Sequence, residues 1–411
     1  MLSGRDIGFH GSCVRRGPSH ALAIPARQPG NPCPWRFSFI SDTGLPRFNR
    51  AVRPRGAGRG RLAPCAARLY LRPLRHTDRH RTRRTDCATG ARSPQLYRPR
   101  RAGCHRPRLL GLLRGGQPCT GVFSAYGPNR SMADGLLKRM GIDIETYDPL
   151  IGAGIAGRIR PNTALAWTES PGSVTREVQD VPAIVAAAHA RGVPVALDNT
   201  YMAGVYFDAF AHGVGISMQA LTKYVGGHSD LLLGSVSVNS KAMFERVGSA
   251  FADLGMGASP DDCSLALRGL QTLGQRLERL QASTLAVARW LHLQDCIATV
   301  LHPALPSCPG HELWKRDFTG ATSVFSVVFQ ESVTAEQVNA FIDALRMFRI
   351  GMSWGGTSSL VMPYPDLARP NRHYRGRLVR LNVGLEAPED LIADLRQAMA
   401  RAAIQEPAAV A

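Results

Sequence analysis

Lysine and glutamate are absent from the first 120 residues, which hold 25 Arg and 4 Asp, a net charge of +21. Residues 121–411 carry 25 Lys and Arg against 27 Asp and Glu, a net of −2, so the overall +19 comes from one end of the chain. A nucleic-acid-binding arm normally mixes Lys with Arg. A transit peptide is Arg- and Ser-rich and poor in acids, but shorter and amphipathic. Translation of GC-rich DNA out of frame gives Arg, Pro, Gly, Ala and Cys without Lys or Glu, and this third reading suits the segment best. Its runs, such as "RHTDRHRTRRTDCATGARSPQLYRPRR", have no helical or strand period. The expectation for 1–120 is therefore an out-of-frame or disordered stretch, with nucleic-acid binding the least favoured use.

Metal-ligand spacing is lacking too. Six of the nine cysteines (Cys13, Cys33, Cys65, Cys87, Cys104 and Cys119) fall in the basic part, with no CxxC among them. The other three, Cys263, Cys296 and Cys308, are scattered, which fits a reducing, cytoplasmic setting. No secretory apolar core and no run long enough to cross a bilayer occurs. These absences leave a metal site and a membrane role without support.

From about residue 121 the chain becomes regular. "TALAWTES" (163–170), "VPVALD" (193–198) and "DLLLGSVSV" (230–238) read as strands. "EVQDVPAIVAAAHARG" (177–192) reads as a helix closed by Gly192. Strand–helix–strand alternation predicts an α/β fold with a mostly parallel sheet. Residues 259–294 read as one long helix capped by Ser259. Beyond it, strands at 322–329 and 378–384 and helices at 334–348 and 387–403 predict a smaller α+β domain. The predicted organisation is a large domain over 121–300 and a C-terminal domain over 301–411. In such sheets chemistry lies beyond the carboxyl ends of the strands.

Two charged residues stand at such ends. Asp198 closes "VPVALD". Lys223 follows the apolar run "HGVGISMQALT" and precedes the tight pair Gly226 and Gly227. A lysine that works covalently must be partly desolvated, so that its amine is neutral near pH 7. An aspartate at a strand end can hold a pyridinium nitrogen, and an Asp–Lys pair of this kind is the protein side of pyridoxal phosphate chemistry. A buried Asp198–Lys223 salt bridge is the equal alternative on spacing alone.

"YGPNR", "YDPLIGAGI", "IRPNT", "ESPGSVTREVQDVPAI", "ALDNTY", "QALTKYVGGHSDLLLG", "SWGG" and "VRLNVGLEAPEDLIADL" follow one another from about 121 to 403. Together they resemble the pyridoxal-phosphate enzymes of cysteine and methionine metabolism, and within that family the β-lyases acting on cystathionine. The resemblance implies the fold-type-I architecture, the cofactor pyridoxal 5'-phosphate and cleavage of a thioether amino acid. Lys223 would join the cofactor covalently, and Asp198 would hold its ring nitrogen. Tyr126 would stack on the ring and steer proton transfer, and Thr222 would bond the phosphate. Arg380 would clamp the substrate carboxylate, with Ser353 and Trp354 lining that side. Ala220 stands where γ-specific relatives often carry Ser. A γ-lyase or γ-synthase is the alternative activity.

Two departures matter. The family follows "SWGG" with an aromatic and Glu-Ser, where this chain has Thr357, Ser358 and Ser359. The resemblance also implies a Ser-Gly phosphate loop, a Tyr-x-Arg arm from a neighbouring subunit and the first sheet strands, none of which is recognisable in 1–120. "YLR" at 70–72 lacks the Gly and Pro that should follow. The family's homo-oligomer, a dimer of dimers, is in doubt without that arm, and a catalytically impaired remnant is a further expectation.

Overall fold

The computed structural model describes residues 113, 115–255, 257–369 and 372–404, with short strands before them. Two of these, β1 (Ser38–Phe39) and β2 (Arg68–Leu69), pair in parallel with each other. The reading of 1–120 as out of frame or disordered otherwise lies outside the described residues.

The main sheet has seven strands: β3 (Gln95–Pro99), β4 (Cys119–Val122), β5 (Ile144–Tyr147), β6 (Leu165–Glu169), β7 (Val195–Asp198), β8 (Ile216–Ala220) and β9 (Leu233–Val238). Their spatial order is β3-β9-β8-β7-β6-β4-β5. β5, β4, β6, β7 and β8 run parallel; β9 and β3 pair antiparallel to their neighbours. β3 comes from the stretch in which none of the family's first strands is recognisable, and it lies at the sheet edge beside β9. A ladder is made of backbone groups, so an edge can be closed without the alternation that marks a half-buried strand.

β7 reads as an unbroken apolar run because both its faces are covered: Val195, Ala196 and Leu197 are fully buried. The helix after β6 is shorter than its periodicity predicts, spanning Val181–His189. Residues 177–179 are spent on tertiary bonds instead: Val178 N donates to Pro309 O and Gln179 N to Ser170 Oγ. Asp180 then caps the helix by accepting from Ala183 N at 3.1 Å. The single helix predicted over 259–294 is two, Pro260–Gln271 and Leu273–His292, parted at Thr272.

The second sheet holds β10 (Ile297–Leu301), β11 (Val324–Phe329), β12 (Arg349–Ile350) and β13 (Leu360–Pro363). After the small hairpin β14 (Ala368–Arg369) and β15 (Arg372–His373), it takes β16 (Leu378–Asn382). Its order is β10-β11-β16-β13-β12. The helices Ala335–Ala344 and Pro388–Arg401 close its core, where Phe325, Phe329, Phe341, Leu381 and Leu395 are buried together. The predicted helix over 334–348 stops early because Asp394 collects the N–H groups of Arg346, Met347 and Phe348 at 3.0, 2.8 and 3.4 Å. Among the described residues no helix is long and apolar enough to cross a membrane.

The helix Ala335–Ala344 opens on a reciprocal cap, with Gln337 N donating to Thr334 Oγ1 at 3.2 Å and Thr334 N to Gln337 Oε1 at 3.0 Å. Thr334→Ala is expected to cost about 1 kcal/mol, lowering the thermal midpoint by roughly 2–4 °C. An unmoved midpoint would show that the cap contributes nothing.

Candidate active site

The site lies where the carboxyl ends of β6, β7 and β8 face a loop from the second sheet. Asp198 ends β7 and is nearly buried. Its Oδ1 accepts from Thr200 N at 3.0 Å and from Thr200 Oγ1 at 2.5 Å. Thr200 Oγ1 in turn accepts from Ala220 N at 2.9 Å, which ties the end of β8 to the aspartate. Among the described residues no donor is given to Oδ2.

Lys223 follows β8 by three residues. Its Nζ donates to Ser353 Oγ at 2.8 Å and stands 5.0 Å from the centre of the Trp354 ring. No ion pair joins it to Asp198 among the described residues, so the salt-bridge alternative is not what the chain builds. Burial first, and then the like charge of Arg380, lower the lysine to about 8 against the opposing pull of Asp198. A large neutral fraction of amine is then present at mildly alkaline pH, as a covalent lysine requires.

Arg380 lies on β16 and is 6 % exposed. It donates from Nη1 to Tyr364 Oη at 2.8 Å and from Nη2 to Met352 O at 2.9 Å, with Gly351 O and Ser353 O farther off at 3.3 and 3.4 Å. No carboxylate pairs with it among the described residues. Burial lowers its affinity for its proton, with the nearby cation Arg176 adding to the effect, but a guanidinium stays charged in proteins. A buried cation without a protein anion is costly unless an anion arrives.

Tyr126 precedes the short helix Gly127–Met132, and its N–H donates to Glu169 Oε2 at 2.7 Å. Glu169, the last residue of β6, is the group that fixes the tyrosine backbone. Burial raises its carboxyl well above the usual range, and the nearby Asp198 raises it further; Tyr126 N–H, Arg176 and Arg369 pull the other way. Asp198 is also raised, by burial first, with the Thr200 bonds and Lys223 holding it down. Thr222 is less available than expected. Its hydroxyl donates to Leu233 O at 3.2 Å and accepts from Leu233 N at 3.0 Å, bonds that bind the lysine turn to β9. A phosphate would have to draw that proton away from Leu233 O. His228 is exposed, its Nδ1 against Gly226 O at 2.7 Å.

The loop carrying Ser353 and Trp354 is anchored by residues the sequence did not single out. Asn382, two residues after Arg380 on β16, accepts from Gly355 N at 3.0 Å and from Ser323 Oγ at 2.8 Å. Ser323 Oγ also meets Tyr224 Oη at 3.0 Å, next to the lysine. Gly355 has φ +80° and lies against Tyr224, where a side chain would be strained. At the departure from family wording, Ser359 N and Oγ bond Glu386 at 2.8 and 2.9 Å, so the changed wall is held from behind.

Residues 105–400 match the family described as Cys/Met metabolism PLP-dependent enzyme. The chain belongs to that family. It is 40% identical to the cystathionine beta-lyase of Haemophilus influenzae over 303 residues, 72% of this chain and 76% of that protein. It is likewise 40% identical to the cystathionine beta-lyase of Escherichia coli over 302 residues, 71% of this chain and 76% of that one. Among solved structures it resembles a cystathionine gamma synthase from Xanthomonas oryzae pv. oryzae, in complex with aminoacrylate and cysteine. The TM-score is 0.70 at 27% identity, covering 75% of this chain and 81% of the other. The family's cofactor is pyridoxal phosphate, and its fold is the one described above.

The residues present fit the aldehyde and ring of that cofactor. Lys223 offers an amine poised to lose its proton, and Asp198 offers a carboxylate oxygen, Oδ2, that accepts no hydrogen bond among the described residues, where Thr200 holds Oδ1. The Ser-Gly loop and Tyr-x-Arg arm that the resemblance implies for the phosphate are not recognisable in the sequence of residues 1–120.

Added pyridoxal phosphate is expected to give a visible absorption band that Lys223→Ala abolishes; an unchanged band in the variant would displace Lys223 from its role. Because the amine must be neutral to react, the rate of band formation should climb with pH through about 8 and then level off. A rate that is flat from pH 7 to 9 would contradict the lowered lysine.

Proposed function

We propose that the chain is a carbon–sulfur β-lyase that cleaves cystathionine to homocysteine, pyruvate and ammonia. The observation that carries this reading is the joint placement of Lys223 and Arg380 around Ser353. The amine and the carboxylate-binding guanidinium are both desolvated, and both touch the same three-residue loop. When bound, pyridoxal phosphate supplies an aldehyde for the substrate amine and a ring that takes up electrons left on the α-carbon. Asp198 would keep a positive charge on the ring nitrogen through the oxygen that Thr200 leaves open. Arg380 takes the α-carboxylate by a two-pronged charged bond, exchanging its weaker carbonyl partners for it. Lys223 Nζ removes the α-proton, and Ser353 Oγ holds the amine in place between transfers. Tyr126, fixed through its N–H by Glu169, would stack on the ring. Ala220 and the "SWGG" loop favour cleavage at the β-carbon over the γ-chemistry of relatives such as the synthase. The partner in this reading is a small thioether amino acid, and the working form is a homo-oligomer.

A second reading is kept because the family match begins only at residue 105. In it, the chain is an impaired form of the same enzyme, short of its phosphate-holding groups. Charged hydrogen bonds are worth about 1.5–3 kcal/mol each, so losing two or three weakens cofactor binding by roughly 10²-fold or more.

Pyruvate release from cystathionine at saturating cofactor tests the activity, and the concentration of cofactor needed tests the second reading. Weak release from the chain, restored when residues 1–120 are replaced by a family N-terminus, is the expected pattern. In that repaired chain Arg380→Ala should raise KM by about 10- to 100-fold, the loss of one or two charged bonds. No pyruvate from the repaired chain would sink the lyase reading. Full activity from the original chain at low cofactor would remove the impaired one.

A further inference from the structure

Lys223 sits in a turn whose carbonyl groups are gripped from behind. The helix Leu273–His292 begins beneath this turn, and Arg276 stands in its first turn. Nη1 of Arg276 donates to Tyr224 O at 2.6 Å, and Nη2 donates to Val225 O at 3.3 Å and to Gly269 O at 2.7 Å. Nε donates to Thr272 Oγ1 at 3.0 Å. Arg276 is 7 % exposed and forms no ion pair among the described residues. A buried guanidinium needs its donors satisfied; here they are satisfied largely by the backbone of the two residues that follow Lys223. Two glycines make the room. Gly227 has φ +72°, and a Cβ on it would overlap Arg276 Nη1. A Cβ on Gly269 would overlap Val225 O. The helix break at Thr272, the lysine turn and the arginine are therefore one packed unit.

We infer that Arg276 is a positioning residue for Lys223: its planar fork fixes the carbonyls of Tyr224 and Val225 and so holds the Lys223 amine against Ser353 and Trp354. The charged groups that act on that amine are Arg380 and Asp198; Arg276 is not one of them, so its influence passes through backbone geometry. A lysine in its place would keep the charge and lose the fork. The inference takes Lys223 as the working amine and needs nothing further from the proposed reaction.

The test follows the acylation of Lys223 in the full chain without added cofactor, by acetic anhydride and peptide mass spectrometry across pH. The parent chain is expected to show a half-point at about 8. Arg276→Lys should loosen the turn, admit water and move the half-point to about 9, toward an ordinary lysine. Labelling at pH 8 then falls about fivefold, the drop in neutral amine for that change. Thr272→Val, which removes the Nε acceptor and the longer bond from Thr272 Oγ1 to Gly269 O at 3.4 Å, should move it the same way by less. A lowered thermal midpoint with an unmoved half-point in Arg276→Lys would make the arginine merely structural and overturn the inference. If Arg276→Lys does not fold, an unmoved half-point in Thr272→Val overturns it equally. Since the assay contains no cofactor, failure of the proposed lyase reaction leaves its result intact.

Discussion

The turn that carries Lys223 belongs to the seven-stranded sheet, while the loop that carries Ser353 to Gly355 belongs to the five-stranded one, and the two are tied at both ends. At one end Lys223 Nζ reaches Ser353 Oγ at 2.8 Å. At the other, Tyr224 Oη meets Ser323 Oγ, which bonds Asn382, which receives Gly355 N. The contact is a closed ring of side chain and backbone in which neighbouring residues of each loop take part. Trp354 lies inside it, its ring centre 5.4 Å from that of Tyr224 and 6.4 Å from that of Tyr201. Desolvation of the lysine, and with it the loss of its proton near neutral pH, follows from this closure.

The electrostatics are arranged by omission. Lys223, Arg276 and Arg380 are each sheltered from water, and none has a carboxylate partner within ion-pair distance among the described residues. The acids nearby, Glu169 and Asp198, are spent on hydroxyl and backbone donors instead. Direct pairing would have neutralised the site in the protein itself. Leaving the cations uncompensated reserves Arg380 for an incoming anion and keeps the lysine from being locked in its charged form.

Much of this was legible in the sequence, for reasons that differ by residue. Asp198 could be found because it ends a strand of obvious apolar composition, and Lys223 because it follows an apolar run and precedes a glycine pair. Arg380 could be assigned only through family wording, since an arginine in a strand has no local signature of ligand binding. Thr200 was readable in principle: a hydroxyl two residues after Asp is a common local turn. Arg276 and Asn382 were not, because they act through backbone atoms 40 or more positions away in one case and across two loops in the other. The helix limits failed for the same reason. Periodicity reports which face is buried, while the ends at Val181 and Ala344 are set by N–H groups captured by Ser170, Pro309 and Asp394.

β16 gives the second sheet a particular leverage over the chemistry. Arg380 and Asn382 are two positions apart on one extended strand, so they share a face at a spacing of about 6–7 Å. The arginine sets where a carboxylate can lie, and the asparagine sets where the loop against the lysine can lie. In the proposed reaction, the pitch of the strand is thus the ruler that separates the substrate's anchor from its base. Arg380 pairs across to Ser326 and Met362, and Asn382 to Val324 and Leu360. A slip of one residue in that pairing would turn both side chains to the opposite face together, so strand alignment in the second sheet decides whether Arg380 and the loop against Lys223 stand where they do.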